Sequence, residues 1–284
     1  MSYIVTATSG HLGHLIVESL LARGAAPESI VATARKVDKL SALAALGVRT
    51  AVLDYGNPET VTAVVEPGDV LMLVSGSEVG QRVPQHTAVI AAAQAAGVGR
   101  IVYTSAPKAT TSALLLAPEH KATEEFLIAS GVPFTILRNG WYTENYTGEI
   151  EKARQAGEIV ASVGDGRVAS ASRADYADAA AAAILDDSLA GKTLELSGDH
   201  AWDFAELAAT IGTLIDSSVA FRNLTPAAHA ELLASFGLDE GTVGFVVGLD
   251  ANIRDGLLGE TSGDLARLIG RPTTPLAEGL AASV

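Results

Sequence analysis

The chain contains no cysteine. Disulfides and thiolate-held metals are therefore excluded, a reducing compartment suits it, and any redox chemistry must come from a bound cofactor. Cations are also scarce: 19 Lys and Arg stand against 33 Asp and Glu, for a formal charge of −14. No nucleic-acid partner is expected, because a phosphate backbone needs clustered Lys and Arg on one face. The acidity itself reads as solubility. No apolar run approaches the roughly 18 residues of a membrane helix. The start, MSYIVTATSG, leads directly into a strand pattern without a basic region and a long apolar stretch. No membrane insertion is expected, and the expected location is cytoplasmic. Among the six histidines there is no helical metal-ligand spacing beyond the neighbours Glu119 and His120, so no metal site is expected.

What is present is a chain of 284 residues, 48% hydrophobic and with 28 glycines. That length suffices for one large α/β domain with a smaller lobe attached. Short apolar runs alternate with helical patterns through the first half, as in a parallel sheet covered on both faces. Strands are read at Tyr3 to Thr6, Ser29 to Thr33, Arg49 to Leu53, Val70 to Ser75, Arg100 to Ser105 and Phe134 to Arg138. Helices are read at about Leu12 to Ala22, Asp38 to Leu46, His86 to Ala96 and Glu119 to Ser130. Gly24, Gly47, Gly97 and Gly131 sit where a left-handed residue closes a helix. The expected fold class is α/β, a doubly wound Rossmann sheet over residues 1–145 with a smaller C-terminal α/β substrate lobe over 146–284. In that lobe a hairpin is expected between Glu158 to Ala161 and Arg167 to Ser172, turning at Gly164-Asp165-Gly166. An Ala-rich helix is read from Arg173 to Leu185 and a strand from Thr193 to Ser197. The helices Phe204 to Ile215 and Pro226 to Phe236 are expected to pack on that strand. The Gly-rich stretch 239–263 has mixed periodicity and no assignment.

The first strand is followed by Thr6-Ala7-Thr8-Ser9-Gly10-His11-Leu12-Gly13. Gly10 and Gly13 hold the later places of a GxxGxxG spacing, with Ala7 at the first. Such a loop brings backbone N–H groups and a helix N-terminus against a pyrophosphate, where side chains would obstruct close approach. A tight turn that merely packs helix on strand is the alternative reading. Ala7 is expected to have negative φ, where its methyl is harmless. NAD-selective folds place an acid at the end of the second strand. Here that strand ends Ala32-Thr33-Ala34-Arg35-Lys36, and the Arg35 guanidinium suits a 2′-phosphate instead, which selects NADPH.

Ordinary short-chain dehydrogenases trade a proton through a Tyr-x-x-x-Lys pair. None of the six tyrosines has a lysine four residues on, and Tyr103 with Lys108 is poorly placed. Chemistry that needs a strong proton donor is thereby disfavoured.

Four segments carry a family resemblance: residues 75–86 (SGSEVGQRVPQH), 137–146 (LRNGWYTENY), 164–176 (GDGRVASASRADY) and 268–276 (LIGRPTTPL). On these the chain resembles the NmrA-like atypical short-chain dehydrogenases, and within them the type 2 NADPH:quinone oxidoreductases, from Ile4 to about Leu280. The family loop begins with Gly where this chain has Ala7. The resemblance implies a flavin-free enzyme that passes hydride from NADPH to a quinone held beside the nicotinamide. It implies that Ala7, Thr8, Ser9, Gly10, His11 and Leu12 form the diphosphate loop and that Arg35 binds the 2′-phosphate. By the same likeness Asp54 touches adenine and Ser75, Gly76 and Ser77 line the cofactor. Asn139, Gly140, Trp141, Tyr142, Thr143 and Glu144 would border nicotinamide and substrate, and Arg173 would close over the cofactor, with residues 164–176 returning to it.

Ligands of open parallel sheets lie beyond the carboxyl ends of the strands, where residues 75–77, 103–105 and 139–142 should gather. Asn139 can donate to a quinone oxygen as charge develops there, and Trp141, Tyr142 and Tyr146 could form a flat apolar wall. His120 is a candidate proton source, with a local helix-start bond as the alternative. The partners implied are a small-molecule quinone and, for a homodimer, a second copy of the chain. Two other functions stay open: a non-catalytic NADP(H)-binding redox sensor of the NmrA type, and a reductase of another electron-poor double bond.

Overall fold

The computed structural model describes residues 1–282. In the first half the chain runs β1 (Tyr3–Val5), α1 (His11–Ala22), β2 (Ile30–Ala34), α2 (Ser41–Ala45), β3 (Arg49–Val52), α3 (Pro58–Thr62), β4 (Val70–Leu73), α4 (Arg82–Ala95), β5 (Arg100–Ser105), α5 (Ala117–Ala129) and β6 (Phe134–Asn139). The second half continues α6 (Thr147–Ala156), β7 (Glu158–Ala161), β8 (Arg167–Val168), α7 (Arg173–Leu185), β9 (Lys192–Leu196), β10 (Trp202–Asp203), α8 (Phe204–Leu214) and β11 (Ala220–Asn223). It ends with α9 (Pro226–Ser235), α10 (Glu240–Arg254), α11 (Asp264–Ile269) and α12 (Leu276–Ala281).

Seven parallel strands form the main sheet in the order β3-β2-β1-β4-β5-β6-β9. Because successive side chains point to opposite faces, each of the five inner strands feeds two cores, which is why these runs are mostly apolar, while the edge strand β3 is largely exposed. Val5, Ala32, Met72, Val102 and Leu137 face α1, α7 and α11, while Ile4, Val31, Leu71, Ile101 and Ile136 face α3, α4 and α5. A third core, around Trp202, Phe204, Tyr146 and Ile253, belongs to the smaller lobe. The order reverses between β1 and β4, and a crevice opens there at the strand ends.

Several expectations need correction. The helix read over Asp38 to Leu46 is a 3-10 turn, Val37–Leu40, followed by the short α2. The hairpin does not form: β7 pairs in parallel with β11, and β8 pairs antiparallel with β10. The cause lies just past β7, where the Ser162 N–H donates to Asp250 Oδ2 (2.6 Å) and Arg254 Nη1 donates to the Ser162 carbonyl (2.9 Å). With both of its backbone groups taken by α10, Ser162 has none left for a ladder with the chain beyond the turn. The strand read at Thr193 to Ser197 is β9, and it lies in the main sheet beside β6 rather than in the smaller lobe. Helix α7 likewise packs beside α1 under the main sheet. Residues 173–196 thus return from the second half of the chain to complete the Rossmann layer.

The return is secured by Arg100. Its nearly buried guanidinium donates to the carbonyls of Ala183, Ile184 and Asp186 at the end of α7 and to Thr135 Oγ1. Those carbonyls have no partner within the helix, so a cation at this end satisfies them and the helix dipole together. Among the described residues no helix is long and apolar enough to cross a membrane. None of the described His, Asp or Glu residues form a group of three or more that could hold a metal ion.

Candidate active site

A cleft of about 630 Å³ follows the carboxyl ends of β1, β2, β4, β5 and β6, within the size range of small-molecule sites. At one end is the loop after β1. Gly10 donates its N–H to the Ala7 carbonyl (2.9 Å), and a Cβ at Gly13 would stand 2.6 Å from that same oxygen. The turn is thus closed around a glycine that cannot be replaced, and α1 begins with no side-chain cap. Ala7 itself has φ +54°, contrary to the negative value expected. The reason is the tightness of this turn, which needs a left-handed residue whatever occupies it.

The described structure separates the residues of the expected site. Ala7, Ser9, Gly10, His11, Leu12, Arg35, Asp54, Ser75, Gly76, Ser77, His120, Asn139, Gly140, Trp141, Tyr142 and Arg173 all border the cleft. Thr8 does not: it is buried, and both its N–H and its hydroxyl donate to the Thr33 carbonyl. Thr143 is buried too, with its hydroxyl on Ser170 and its N–H on the Ala171 carbonyl. Glu144 turns its carboxylate to the backbone N–H of Arg173 (2.8 Å), where it caps α7 with the Ser172 side chain. The hydrogen bonds of these three side chains are spent on the fold rather than in this cleft, because neighbouring residues of a turn cannot all face one side.

The rim carries the charge. Arg35, exposed at the end of β2, reaches across the crevice to Glu78 (3.4 Å), whose other oxygen accepts from Gln85 Nε2 (2.9 Å). Arg173 lies over the Tyr142 ring, 5.0 Å from its centroid, and Tyr142 meets Tyr176 edge to face. Gly140 is forced by its surroundings, since a Cβ would stand 2.8 Å from the Tyr176 hydroxyl and 2.9 Å from the Leu196 carbonyl.

The deep end is apolar above and polar below. Leu114, Leu116, Trp141, Leu249 and Leu258 line it, and Asn252 Oδ1 accepts the Leu115 N–H (2.9 Å), which ties α10 to the β5–α5 loop. On the floor, Asn139 is buried beside the Tyr142 hydroxyl, and among the described residues neither atom of its amide makes a hydrogen bond of good geometry; Ser75 Oγ is in the same condition. An unpaired buried amide costs free energy unless a ligand answers it. Ser105 donates to Glu124 Oε1 (2.5 Å), which Arg138 holds from its other side. Tyr146, expected on the wall, is not among the residues that border the cleft and packs instead against Trp202 and Phe204.

Two histidines lie under this floor. His86 Nε2 accepts the Gly76 N–H (3.1 Å), and its Nδ1 faces Thr123 Oγ1. His120 Nδ1 pairs with the Tyr103 hydroxyl (2.8 Å), a bond across seventeen positions rather than the local helix-start bond weighed above. Burial first, and then the Arg82 charge, pull His86 down to about 4. Burial, Arg82 and His86 pull His120 down to about 3. Burial and these charges thus favour a neutral imidazole at His120 near neutral pH, which disfavours an imidazolium as the proton source. Ser105, expected at the strand ends, borders the cleft as well. Tyr55, Glu78, Arg82, Leu114, Leu116, Leu249 and Leu258 also border it and are not among the expected residues. Only their place after a strand points to the first three.

The features of this cleft fit a dinucleotide: an uncapped helix N-terminus behind a glycine turn that no Cβ could enter, a cation on the rim and an orphaned amide at the far end. The comparisons agree. The NAD(P)H-binding family profile matches residues 8–187. The chain is 44% identical over 274 residues to quinone oxidoreductase 2 of Escherichia coli (strain K12), covering 96% of both. It superposes with a TM-score of 0.94 on the crystal structure of the NADPH-dependent quinone oxidoreductase of Escherichia coli complexed with NADPH, over 99% of each chain. The triphenylmethane reductase of Citrobacter sp. complexed with NADP(H) is 31% identical over the whole of both chains, also with a TM-score of 0.94. A glycine-turn cleft of this shape, matched along nearly its full length by such relatives, means that the chain belongs to the NAD(P)H-binding, NmrA-like atypical short-chain dehydrogenases.

Proposed function

We propose that this protein reduces a quinone with NADPH by direct hydride transfer, without a flavin. The observation that carries the reading is the Asn139 amide, buried and unpaired at the floor of a cleft whose other end is a phosphate-binding turn. Bound NADPH would supply a hydride from its dihydronicotinamide ring. Backbone N–H groups at the start of α1 would hold the diphosphate, and Arg35 the 2′-phosphate, exchanging Glu78 for it. Asn139 would donate to the acceptor oxygen as negative charge grows there, in a site where water no longer competes. Leu114, Leu116, Trp141, Leu249 and Leu258 would hold a flat apolar ring and exclude solvent. No Tyr-Lys proton donor is required, because a quinone accepts hydride before it needs a proton. Placement then matters most, with the reacting atoms about 3 to 3.5 Å apart.

The physiological acceptor is proposed to be a neutral quinone, in the cytoplasm, where the cofactor is kept reduced. A second copy of the chain is its proposed macromolecular partner. Calorimetry with NADPH and loss of dihydronicotinamide absorbance on adding menadione test the reading. Binding with turnover supports it, and binding without turnover would mark a redox sensor. Asn139→Ala should lower kcat/KM for menadione about ten- to a hundredfold, the worth of one hydrogen bond to a charged oxygen, with little change in NADPH affinity. Equal activity would remove Asn139 from the mechanism.

A further inference from the structure

The polar groups behind the cleft floor can be accounted for one hydrogen at a time. Thr123 Oγ1 donates to the Glu119 carbonyl (2.9 Å), so toward His86 it can only accept, and His86 Nδ1 carries the proton. That agrees with His86 Nε2 accepting from the Gly76 N–H. Tyr103 is fully buried, and among the described residues its hydroxyl makes one hydrogen bond of good geometry, to His120 Nδ1 (2.8 Å), with the Thr123 and Ser75 hydroxyls nearby. Were the imidazole proton on Nδ1, the phenolic hydrogen would have to turn to Thr123 or Ser75, neither of which is placed to bond it here. Such an orphan is disfavoured. The assignment that leaves no orphan hydrogen has Tyr103 donating to Nδ1, which places the ring proton on Nε2. That nitrogen makes no bond to the protein among the described residues, and His120 borders the cleft.

Resting on the quinone reading above, we infer that His120 is a second, electrically neutral hydrogen-bond donor to the acceptor oxygen, and that Tyr103 is the positioning residue that fixes its tautomer. The groups facing this ring come from three elements. From α4 come Arg82 and His86, from α5 Glu119 and Glu124, and from β5 Tyr103. Arg82 Nη1 pairs with Glu119 (3.1 Å) and Glu124 with Arg138 (2.7 Å), so both carboxylates are committed elsewhere and neither can draw a proton onto the imidazole. The Tyr103 ring is in turn set by edge-to-face contact with His86, their centroids 5.5 Å apart.

A neutral donor of this kind polarises a carbonyl without giving up its proton. To release Nε2–H, His120 would have to take the Tyr103 proton and leave a phenolate in the core, and burial already pushes that hydroxyl well above its ordinary range. The proton balance follows. The quinone gains one hydride, which carries both electrons and one proton, and becomes the hydroquinone monoanion as the cofactor is oxidised. Its second proton comes from water at the cleft mouth, and His120 and Tyr103 end the cycle as they began it.

Imidazole 15N–1H correlation spectra of the histidine-labelled protein with NADPH bound, assigned with His120→Gln, test this directly. The expected spectrum has a proton on Nε2 and a bare Nδ1, unchanged down to about pH 5.5. Tyr103→Phe should mix the tautomers and lower kcat for menadione about tenfold, with KM for NADPH unmoved. His120→Gln, which keeps an amide donor, should retain more activity than His120→Leu. A proton on Nδ1, an imidazolium above about pH 5.5, or full kcat in Tyr103→Phe would overturn the assignment while leaving quinone turnover intact. A wild-type protein inert toward menadione would instead overturn the reading beneath it.

Discussion

Ala7→Gly is a sharp test of the cofactor turn. At φ +54° an L-residue with a Cβ is strained by about 1 to 2 kcal/mol, which glycine relieves. Two effects oppose the gain. The unfolded chain becomes more flexible, worth about 0.4 to 1 kcal/mol, and a half-buried methyl is lost, worth about half of the roughly 0.8 kcal/mol of a fully buried one. The balance is close to neutral or slightly stabilising. Were the residue extended, only the two losses would remain, and the variant would be less stable by about 1 kcal/mol, or about 2 °C in Tm for a chain of this size. Thermal unfolding of the two proteins without cofactor therefore discriminates by sign. A fall of Tm of that size would refute the left-handed turn. Because glycine keeps the same backbone, the N–H groups at the start of α1 stay in place, and the Kd for NADPH should move less than about threefold.

Two further predictions concern charge. Arg35→Ala should cost about tenfold or more in NADPH affinity and leave NADH binding unchanged, whereas Glu78→Gln, by removing a carboxylate that competes for Arg35, should tighten NADPH by about two- to fivefold; competition binding of the two nucleotides measures both, and an unaltered NADPH-to-NADH ratio in Arg35→Ala sinks the rim assignment. The third is linkage. His86 at about 4 and His120 at about 3 are held neutral in the folded chain, against an ordinary value near 6.5 when unfolded, so the unfolded state takes up protons first as pH falls. Their contribution is whole above about pH 7 and is lost downward through 6.5, by about 2 kcal/mol for each ring at pH 5. Urea unfolding at about pH 7.5 and about pH 5 should show that decline, and equal stabilities would mean that the rings are not held neutral.

The sheet was legible where its strands are apolar on both faces. Arg100–Ser105 has the bounds expected from its sequence, and so has the Ala-rich helix Arg173–Leu185, because burial on all sides leaves a pattern that needs no partner to read. The partners themselves were not legible. Gly164-Asp165-Gly166 bends the chain as its residues suggest, yet Asp250 and Arg254, more than eighty positions on, take the backbone groups a hairpin would have used. α10 was missed because Gly241, Gly244 and Gly248 interrupt its apolar period. In the site, the glycine turn and Arg35 could be seen from spacing. The side chains of Thr8, Thr143 and Glu144 bond within the fold, which a contiguous motif does not reveal, since alternate residues of a turn face the core. The Tyr103–His120 pair has no local signal, since it exists only once β5 and α5 are packed.

The piece of the chain that reads least like part of the cofactor domain is the one that aims its reacting end. Asn139 is the last residue of β6, and its strand is held at the edge by β9: Asn139 lies opposite Leu196, and the next N–H, that of Gly140, donates to the Leu196 carbonyl at 2.7 Å. On the other side the Ser105, Glu124 and Arg138 bonds fix β6 to β5 and α5, and Arg138 also reaches Glu195 on β9. The backbone around the amide is thereby clamped between three elements, with no room for a Cβ at Gly140. An amide free to rotate would bond to its neighbours or to water. Here its backbone is clamped and, among the described residues, neither amide atom makes a hydrogen bond; in the proposed reaction the free energy of leaving it so would be recovered when an acceptor arrives in the cleft. For a transfer that depends on placement rather than on an acid, a rigid and unsatisfied donor is the feature the fold has to build, and in this chain the seventh strand builds it.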